Sequence, residues 1–100
     1  MNDSAQKRTT TPVFIAFVTN DDTRNIVEAI REDNPQATVE EFPAMVKIES
    51  PGRLVVKRQS VADLMGRDWD LQEIHLNLIS LSGSINETED EFELYWGHAA

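Results

Sequence analysis

Two short stretches of this sequence carry side chains that could do chemistry. Glu73 and His75 stand two positions apart, one short of the Glu-x-x-His spacing that places two iron ligands on one helix face. Four carboxylates are crowded into residues 87–91, but the run lacks the alternating oxygen ligands and central glycine of a calcium-binding EF-hand loop. These residues therefore predict a surface histidine and a solvated acidic turn, with no metal or cofactor site.

Other catalytic patterns are missing from the sequence. There is no cysteine, which excludes disulfides, thiolate metal sites and cysteine nucleophiles. The four glycines are isolated, so no glycine-rich loop is present to bind phosphate. We therefore expect a protein that is not an enzyme, and a small enzyme built on Glu73 and His75 is the least supported alternative.

The composition is that of one small globular domain with an acidic surface. Nine basic and eighteen acidic residues among 100 give a net charge of −9. This balance disfavours nucleic acid and anionic membranes as partners, since both attract Lys and Arg. It fits either simple solubility or attraction to a basic patch on a protein. No apolar run approaches the roughly 20 residues of a membrane helix, and the polar N-terminus lacks a signal-peptide core, so we expect a cytoplasmic protein.

The apolar pattern predicts a single α+β domain with mostly antiparallel sheets and two main helices, in the order β-α-β-β-β-α-β-β. We assign residues 1–11 to a disordered arm, 12–97 to the domain and 98–100 to a short tail. The continuous apolar run Val13–Val18 predicts a strand at the centre of its sheet.

A helix and three strands are expected next. Asn20 is placed to cap the helix, which ends at Asn34-Pro35. Strands are predicted at Thr38–Phe42 and Ala44–Glu49, and the turn signal at 50–52 predicts that Arg53–Gln59 returns as the hairpin partner of the second strand. The inward side chains of the helix are expected to be Thr23, Ile26, Val27 and Ile30.

The stretch 60–69 predicts a short helix with defined ends. Ser60 and Asp63 have the spacing of a capping box, in which two side chains satisfy N–H groups of the first turn. Gly66 can adopt the left-handed conformation that ends a helix. The inward side chains are expected to be Val61, Leu64 and Met65.

The C-terminal third contains an irregular strand. Asp70 is expected to cap one helical turn through Ile74, followed by a long strand from His75 to residue 85. The inward face of this strand changes in mid-course, which requires a bulge near Ile79–Ser80, because side chains alternate strictly along an undisturbed strand. A hairpin loop is predicted at 86–91 and a final strand at 92–96.

The predicted bulge marks a candidate docking patch. It exposes either Ile79 or Leu81 among small hydroxyl residues, a pattern typical of protein-binding surfaces. We therefore predict that Asn77–Gly83 contacts another protein, with an irregular but buried strand as the alternative. Trp69 and Trp96 are expected to lie in the core, where tryptophan is found more often than on a binding surface.

Several segments match a known pattern when they are taken together. The most specific is Leu-x-Gly-Arg-x-Trp-Asp at 64–70, placed before a strand that ends at Gly83. The chain thereby resembles the effector, or regulatory, proteins of bacterial multicomponent diiron monooxygenases, and most closely those of phenol hydroxylases. The match spans residues 13–96. Its other segments are Asn34-Pro35, Thr38-Val39-Glu40, Pro43-Ala44-Met45 through Ile48, Gln72-Glu73 and Leu76–Gly83.

The resemblance implies a function that composition does not show. Proteins of this kind carry no cofactor and dock on the hydroxylase component, over the helices that hold its diiron centre. Docking alters the active site and the access of substrate and O₂, and couples electron delivery from a flavin/iron–sulfur reductase to hydroxylation. This chain departs from the methane-oxidising branch at Ile79 and Leu81, where that branch has small hydroxyl residues, and its arm is shorter.

Site residues follow from the local patterns and from the resemblance together. The helix ends predicted above give structural roles to Ser60, Asp63 and Gly66. Hydroxylase-binding roles are expected for Arg67, Trp69, Asn77, Ile79, Ser80, Leu81, Ser82 and Gly83. Whether Arg67 contacts the hydroxylase or braces its own turn is open from the sequence. The alternative from another class is a small-molecule-sensing regulatory domain of ferredoxin-like topology.

Overall fold

The computed structural model describes residues 11–96, so the predicted arm, apart from Thr11, and the predicted tail lie outside the described residues. Seven strands of this part form two antiparallel sheets, and the predicted α+β class and order of elements are confirmed. The strands are β1 (Pro12–Val18), β2 (Thr38–Phe42), β3 (Met45–Pro51), β4 (Arg53–Lys57), β5 (Leu78–Ser82), β6 (Ser84–Glu87) and β7 (Glu91–Tyr95). The helices are α1 (Asp21–Asp33), α2 (Arg58–Met65) and α3 (Ile74–Asn77), which follows a 3-10 turn (Leu71–Glu73).

The four-stranded sheet has the order β2-β3-β1-β5. The apolar run of β1 therefore lies between two strands, as predicted. Alternation along β3 is strict, with Val46 and Ile48 buried and Met45 and Lys47 on the opposite face. One face of this sheet packs on the core, and the other carries the polar and half-buried side chains.

The three-stranded sheet has the order β4-β7-β6, and it shows that the predicted β3–β4 hairpin is wrong. Strand β3 already has β1 on one edge and β2 on the other, so neither edge is open to β4. The chain turns out of the first sheet at Gly52, whose φ is 71°. The Gly52 N–H donates to the Thr11 carbonyl (3.0 Å), and its carbonyl accepts from the Trp96 N–H (3.1 Å).

The predicted long strand is divided between the two sheets at Gly83. Strand β5 pairs with β1, whereas β6 pairs with β7. Gly83 has a φ of +132°, and a Cβ there would lie 3.0 Å from Val13 Cγ1, so only glycine fits without a shift. The predicted strand start at His75 is also wrong, because His75 lies in α3 and the strand begins at Leu78.

The last hairpin differs from the prediction in two ways: its first strand is longer, and Trp96 at its C-terminal end is more exposed. Strand β6 runs through Glu87, so the loop shortens to residues 88–90, closed by a bond from the Thr88 N–H to the Glu91 carbonyl (2.9 Å). Trp96 follows the end of β7 and is 43% exposed, contrary to the predicted core position. Its indole N–H donates to the Pro12 carbonyl (2.8 Å), which ties the last described residue to the start of β1.

Helix α1 has the predicted N-cap. Asn20 Oδ1 accepts from the Thr23 N–H (2.9 Å), and Thr23 Oγ1 accepts from the Asn20 N–H (2.8 Å), which forms a capping box. The predicted inward side chains of the helix are buried. They join one core cluster with the inward residues of both sheets.

The predicted cap of α2 is wrong, although its C-terminus is as predicted. The helix begins at Arg58, two residues before Ser60, and its N-cap residue Lys57 makes no side-chain cap bond. The Arg58 N–H is satisfied instead by the Asp90 carbonyl (2.9 Å), from the neighbouring β6–β7 turn. Asp63 accepts from Gln59 Nε2 (2.8 Å) and does not close a capping box.

At the other end of α2, Gly66 adopts the left-handed conformation (φ 70°, ψ 25°) and its N–H donates to the Ala62 carbonyl. The buried face of α2 also differs from the prediction. Val61 and Ala62 are buried and Met65 is partly buried, while Leu64 is 39% exposed rather than inward.

Candidate functional site

The segment Asn77–Gly83 has an exposed bulge at its centre. Leu78 pairs with Phe17 and Ser80 pairs with Ala16, so Ile79 is the extra residue that interrupts the register. Ile79 is 48% exposed, whereas Leu81 is half-buried against the core, opposite Ile15. The bulge is therefore where it was predicted, and Ile79 is the exposed apolar residue of the two candidates.

The hydroxyl residues of β5 lie on the face of the sheet that points away from the core. Ser80 stands opposite Ala16, and Ser82 opposite Phe14. Ser80 is exposed and Ser82 is half-buried. Because β5 is the edge strand of its sheet, Ile79 and Ser80 present both a side-chain surface and a strand edge.

The Arg67 side chain braces its own turn. Its Nη1 donates to the Asp68 carbonyl (2.7 Å), and its Nη2 donates to Glu73 Oε1 (3.2 Å). Glu73 Oε2 also accepts from the Asp70 N–H (3.2 Å), and Asp70 caps the 3-10 turn through the Gln72 N–H. The predicted cap at Asp70 is thus confirmed, and Arg67 and Glu73 are joined to it.

The electrostatics of this turn follow from that pairing. The hydrogen bond from Arg67 holds the pKa of the Glu73 carboxylate below its usual range, against a smaller opposing effect of desolvation. The same bond raises the pKa of Arg67, with a further contribution from the charge of Asp22 at the start of α1.

The start of the bulged segment lies at the same helix end. Asn20 Nδ2 donates to Asn77 Oδ1 (2.8 Å), and Asn20 is the N-cap of α1. This bond ties the start of the bulged segment to the N-cap of α1. Trp69 does not share this surface, because it is only 3% exposed and belongs to the core cluster. That burial agrees with its expected core position, and its expected contact with the hydroxylase stays a prediction.

Sequence reasoning missed the exposure of two residues at one end of the four-stranded sheet. Val18 and Phe42 are each 43% exposed, and both pair with Met45 across the same end of the four-stranded sheet. Their strands were predicted correctly, but exposure at a strand end depends on what covers the sheet. A local sequence pattern does not indicate which other elements cover the end of a sheet.

Features expected of a catalytic or ligand-binding site are not found in the described range. No group of three or more His, Asp and Glu side chains within 11–96 is arranged to hold a metal ion. Glu73 is engaged by Arg67, and the exposed His75 packs edge-on against Phe92. An open cleft of about 980 Å³ is lined mainly by charged and polar residues of 68–73 and 87–90, unlike the apolar pockets that bind small metabolites.

An antiparallel α+β domain that leaves a bulged, apolar strand edge exposed has the features of a protein-interaction domain. A sequence profile of the MmoB/DmpM family matches residues 11–95. The chain therefore belongs to the MmoB/DmpM family.

Individual relatives agree with this membership. The chain is 45% identical, over 84 residues, to the stimulatory component DmpM of phenol 2-monooxygenase from Pseudomonas sp. strain CF600, covering 84% of this chain and 93% of the relative. A chain in the structure of a phenol hydroxylase–regulatory protein complex superposes with a TM-score of 0.84 at 45% identity, covering 87% of this chain and all of that one. The soluble methane monooxygenase regulatory protein B shares the fold, with a TM-score of 0.68 at 19% identity, over 84% of this chain and 64% of its own.

No helix within residues 11–96 combines the length and apolar character needed to cross a bilayer.

Proposed function

We propose that this protein is the non-catalytic effector subunit of a phenol, or related arene, monooxygenase. It binds the diiron hydroxylase component, adjusts its active site and the access of substrate and O₂, and couples electron transfer to hydroxylation. The 45% identity to a phenol 2-monooxygenase stimulatory component over almost the full length of both chains supports this assignment.

The exposed bulge in β5 is the observation that carries the docking surface. Ile79 leaves the core side of the strand and stands at a free sheet edge, next to the exposed Ser80. Asn77, two residues before Ile79, is bonded to the N-cap residue of α1, and we include the exposed Arg67 turn in the same surface. We place the hydroxylase over this end of the molecule, with Ser82 and the half-buried Leu81 continuing the same strand.

In this proposal the protein contributes no catalytic group, so it acts on the hydroxylase through binding alone. A bound protein changes the hydroxylase only by the difference between its affinities for two hydroxylase conformations. Such coupling free energies are typically about 1–3 kcal/mol, which corresponds to effects of about 5- to 150-fold on affinity. The same proposal includes a flavin/iron–sulfur reductase as the electron donor and a cytoplasmic location, which the absence of cysteine favours.

The docking surface is tested by two matched isoleucines. Ile79 and Ile85 are each 48% exposed and lie on successive strands. We expect Ile79→Asp to weaken hydroxylase binding by about tenfold or more, because it places a charge in the centre of the contact. Ile85→Asp is the control and should bind as the wild type does. Affinity is measured by calorimetry against the purified hydroxylase, with thermal unfolding of each variant to establish that it is folded. Equal affinity of both variants would contradict this surface.

A further inference from the structure

The residue that caps α1 uses both ends of its side-chain amide. Asn20 Oδ1 accepts from the Thr23 N–H (2.9 Å) and caps the helix, and Asn20 Nδ2 donates to Oδ1 of Asn77 (2.8 Å), the last residue of α3. Serine and aspartate cap helices as well as asparagine does, but their side chains carry no amide N–H. The cap therefore accounts for the oxygen of Asn20, and the bond to Asn77 gives its nitrogen a separate role.

Two adjacent apolar side chains stand next to one core position at the start of β5. Leu78 occupies it, opposite Phe17, and packs against the core cluster, whereas Ile79 is the extra residue of the bulge and is 48% exposed. If the residues before the bulge moved by one position along β1, Ile79 would stand opposite Phe17. The strand would then alternate without a bulge as far as Ser82. Either register therefore buries one apolar side chain at this position.

Hydrophobic burial alone does not select between the two registers. Leucine and isoleucine are isomers of similar apolar area, so their exchange changes the buried area little. The bulge also interrupts the ladder of hydrogen bonds with β1, which favours the register without it. Contacts outside the ladder must therefore hold the bulged register that the structure shows.

The Asn20–Asn77 bond is placed to oppose the slip. Asn77 immediately precedes Leu78, so the two residues move together. A slip of one position displaces them by about 3.3 Å and turns their side chains to the opposite face of the sheet. Asn20 does not follow, because its own capping box holds it at the start of α1. The 2.8 Å bond is therefore made in the bulged register and broken in the other.

We propose that Asn20 and Asn77 are a positioning pair, whose bond holds β5 in the bulged register and keeps Ile79 on the surface. Breaking the bond lets the strand slip by one residue, which places Ile79 in the core and turns Leu78 outward. One hydrogen bond of this kind changes the ratio of two conformations by about two- to twelvefold. The register concerns this chain alone, and only its effect on hydroxylase binding rests on the proposed function.

The register is measured by NMR on the isolated protein. In the wild type, cross-strand contacts join Phe17 to Leu78, and relaxation dispersion measures the population in which Phe17 meets Ile79 instead. Asn77→Ala removes the acceptor, and Asn20→Ser removes the donor while it keeps an oxygen that caps α1. Each variant should raise the ratio of the slipped to the bulged register by about two- to twelvefold.

Two further variants separate the bond from a general loss of structure. Asn77→Asp keeps an acceptor oxygen for the Asn20 amide and should restore the wild-type ratio. Asn86→Ala removes an exposed asparagine of β6 that bonds to Glu93 (3.4 Å) and should leave the ratio unchanged. Wild-type ratios in both Asn77→Ala and Asn20→Ser overturn the proposal. A slipped register that is undetected in every variant overturns it as well.

A second pair of variants tests the competition for the core position. In Leu78→Ser the bulged register would bury a hydroxyl group, so we expect Ile79 to take the position and the main contact of Phe17 to change from residue 78 to residue 79. In Ile79→Ser, Leu78 should stay in place and the bulge should remain. A Leu78→Ser protein that keeps the bulge overturns the proposal. If that variant does not fold, the asparagine variants, which leave the core intact, decide the question.

The effect on the hydroxylase is measured separately. A partner that requires Ile79 on the surface binds only the bulged fraction, so its apparent dissociation constant rises as the inverse of that fraction. Asn20→Ser should weaken binding to the purified hydroxylase by the factor that the NMR populations give. A shifted register with unchanged affinity supports the positioning pair and contradicts the docking role of Ile79. A wild-type chain that does not bind hydroxylase overturns the proposed function, whereas the NMR populations still decide the register.

Discussion

At the scale of single residues, Asn34 shows how much one side chain can organise. Its amide accepts from the Val55 N–H (3.0 Å), and it donates to the carbonyls of Val55 and Ile30 (both 2.8 Å). Val55 is in β4, an edge strand of the three-stranded sheet. The buried amide thus takes the place of a neighbouring strand and fastens the end of α1 to the sheet.

Replacing Asn34 should therefore be costly. We expect Asn34→Ala to lower the free energy of unfolding by about 2–4 kcal/mol, because the buried N–H and carbonyl of Val55 lose their partner. Urea denaturation at neutral pH measures the change. Asn86→Ala is the control, since Asn86 is exposed and makes one long bond to Glu93 (3.4 Å), and it should change stability by no more than about 0.5 kcal/mol. Similar losses in the two variants would contradict this role of Asn34.

At the scale of elements, the sequence predicted correctly those helix ends whose hydrogen bonds are made by residues a few positions away. Three features depend on neighbours in sequence: the caps at Asn20 and Asp70 and the end of α2 at Gly66. The start of α2 does not, because its first N–H is satisfied by the distant Asp90 carbonyl. The predicted Ser60 cap failed for that reason.

The turn from Arg67 to Glu73 gives stability a pH dependence with a definite sign. Because the folded-state pKa of Glu73 is lowered, its contribution is fully present above the ordinary carboxyl pKa of about 4.3. The contribution is lost as the pH falls through the lowered folded-state value. Arg67→Met should therefore reduce the free energy of unfolding at pH 7, and its difference from wild type should shrink towards pH 3.

Urea denaturation at both pH values checks this expectation. Arg24→Met is the control, since the Arg24–Asp21 pair is 75% and 95% exposed and should give a small difference that changes little with pH. A difference between Arg67→Met and wild type that is the same at pH 7 and pH 3 would show that the Arg67–Glu73 pair does not act as described.

At the scale of the whole molecule, the chain passes between two sheets at Gly52 and Gly83. Neither crossing could be predicted, because each depends on which strand edges are already occupied and on the contact between Gly83 and Val13. The exposure of Val18 and Phe42 follows from the same assembly. The exposed strand edge at Ile79, by contrast, could be predicted from the change of inward face along the strand.

The central claim is that this protein acts on a phenol hydroxylase without performing chemistry itself. The most direct measurement is the rate of phenol hydroxylation by purified hydroxylase and reductase, with this chain omitted and then titrated back. We predict a low rate without the chain and a saturable rise in both rate and product formed per electron pair as it is added. A rate that is already maximal without the chain, and unchanged by its addition, would contradict the account.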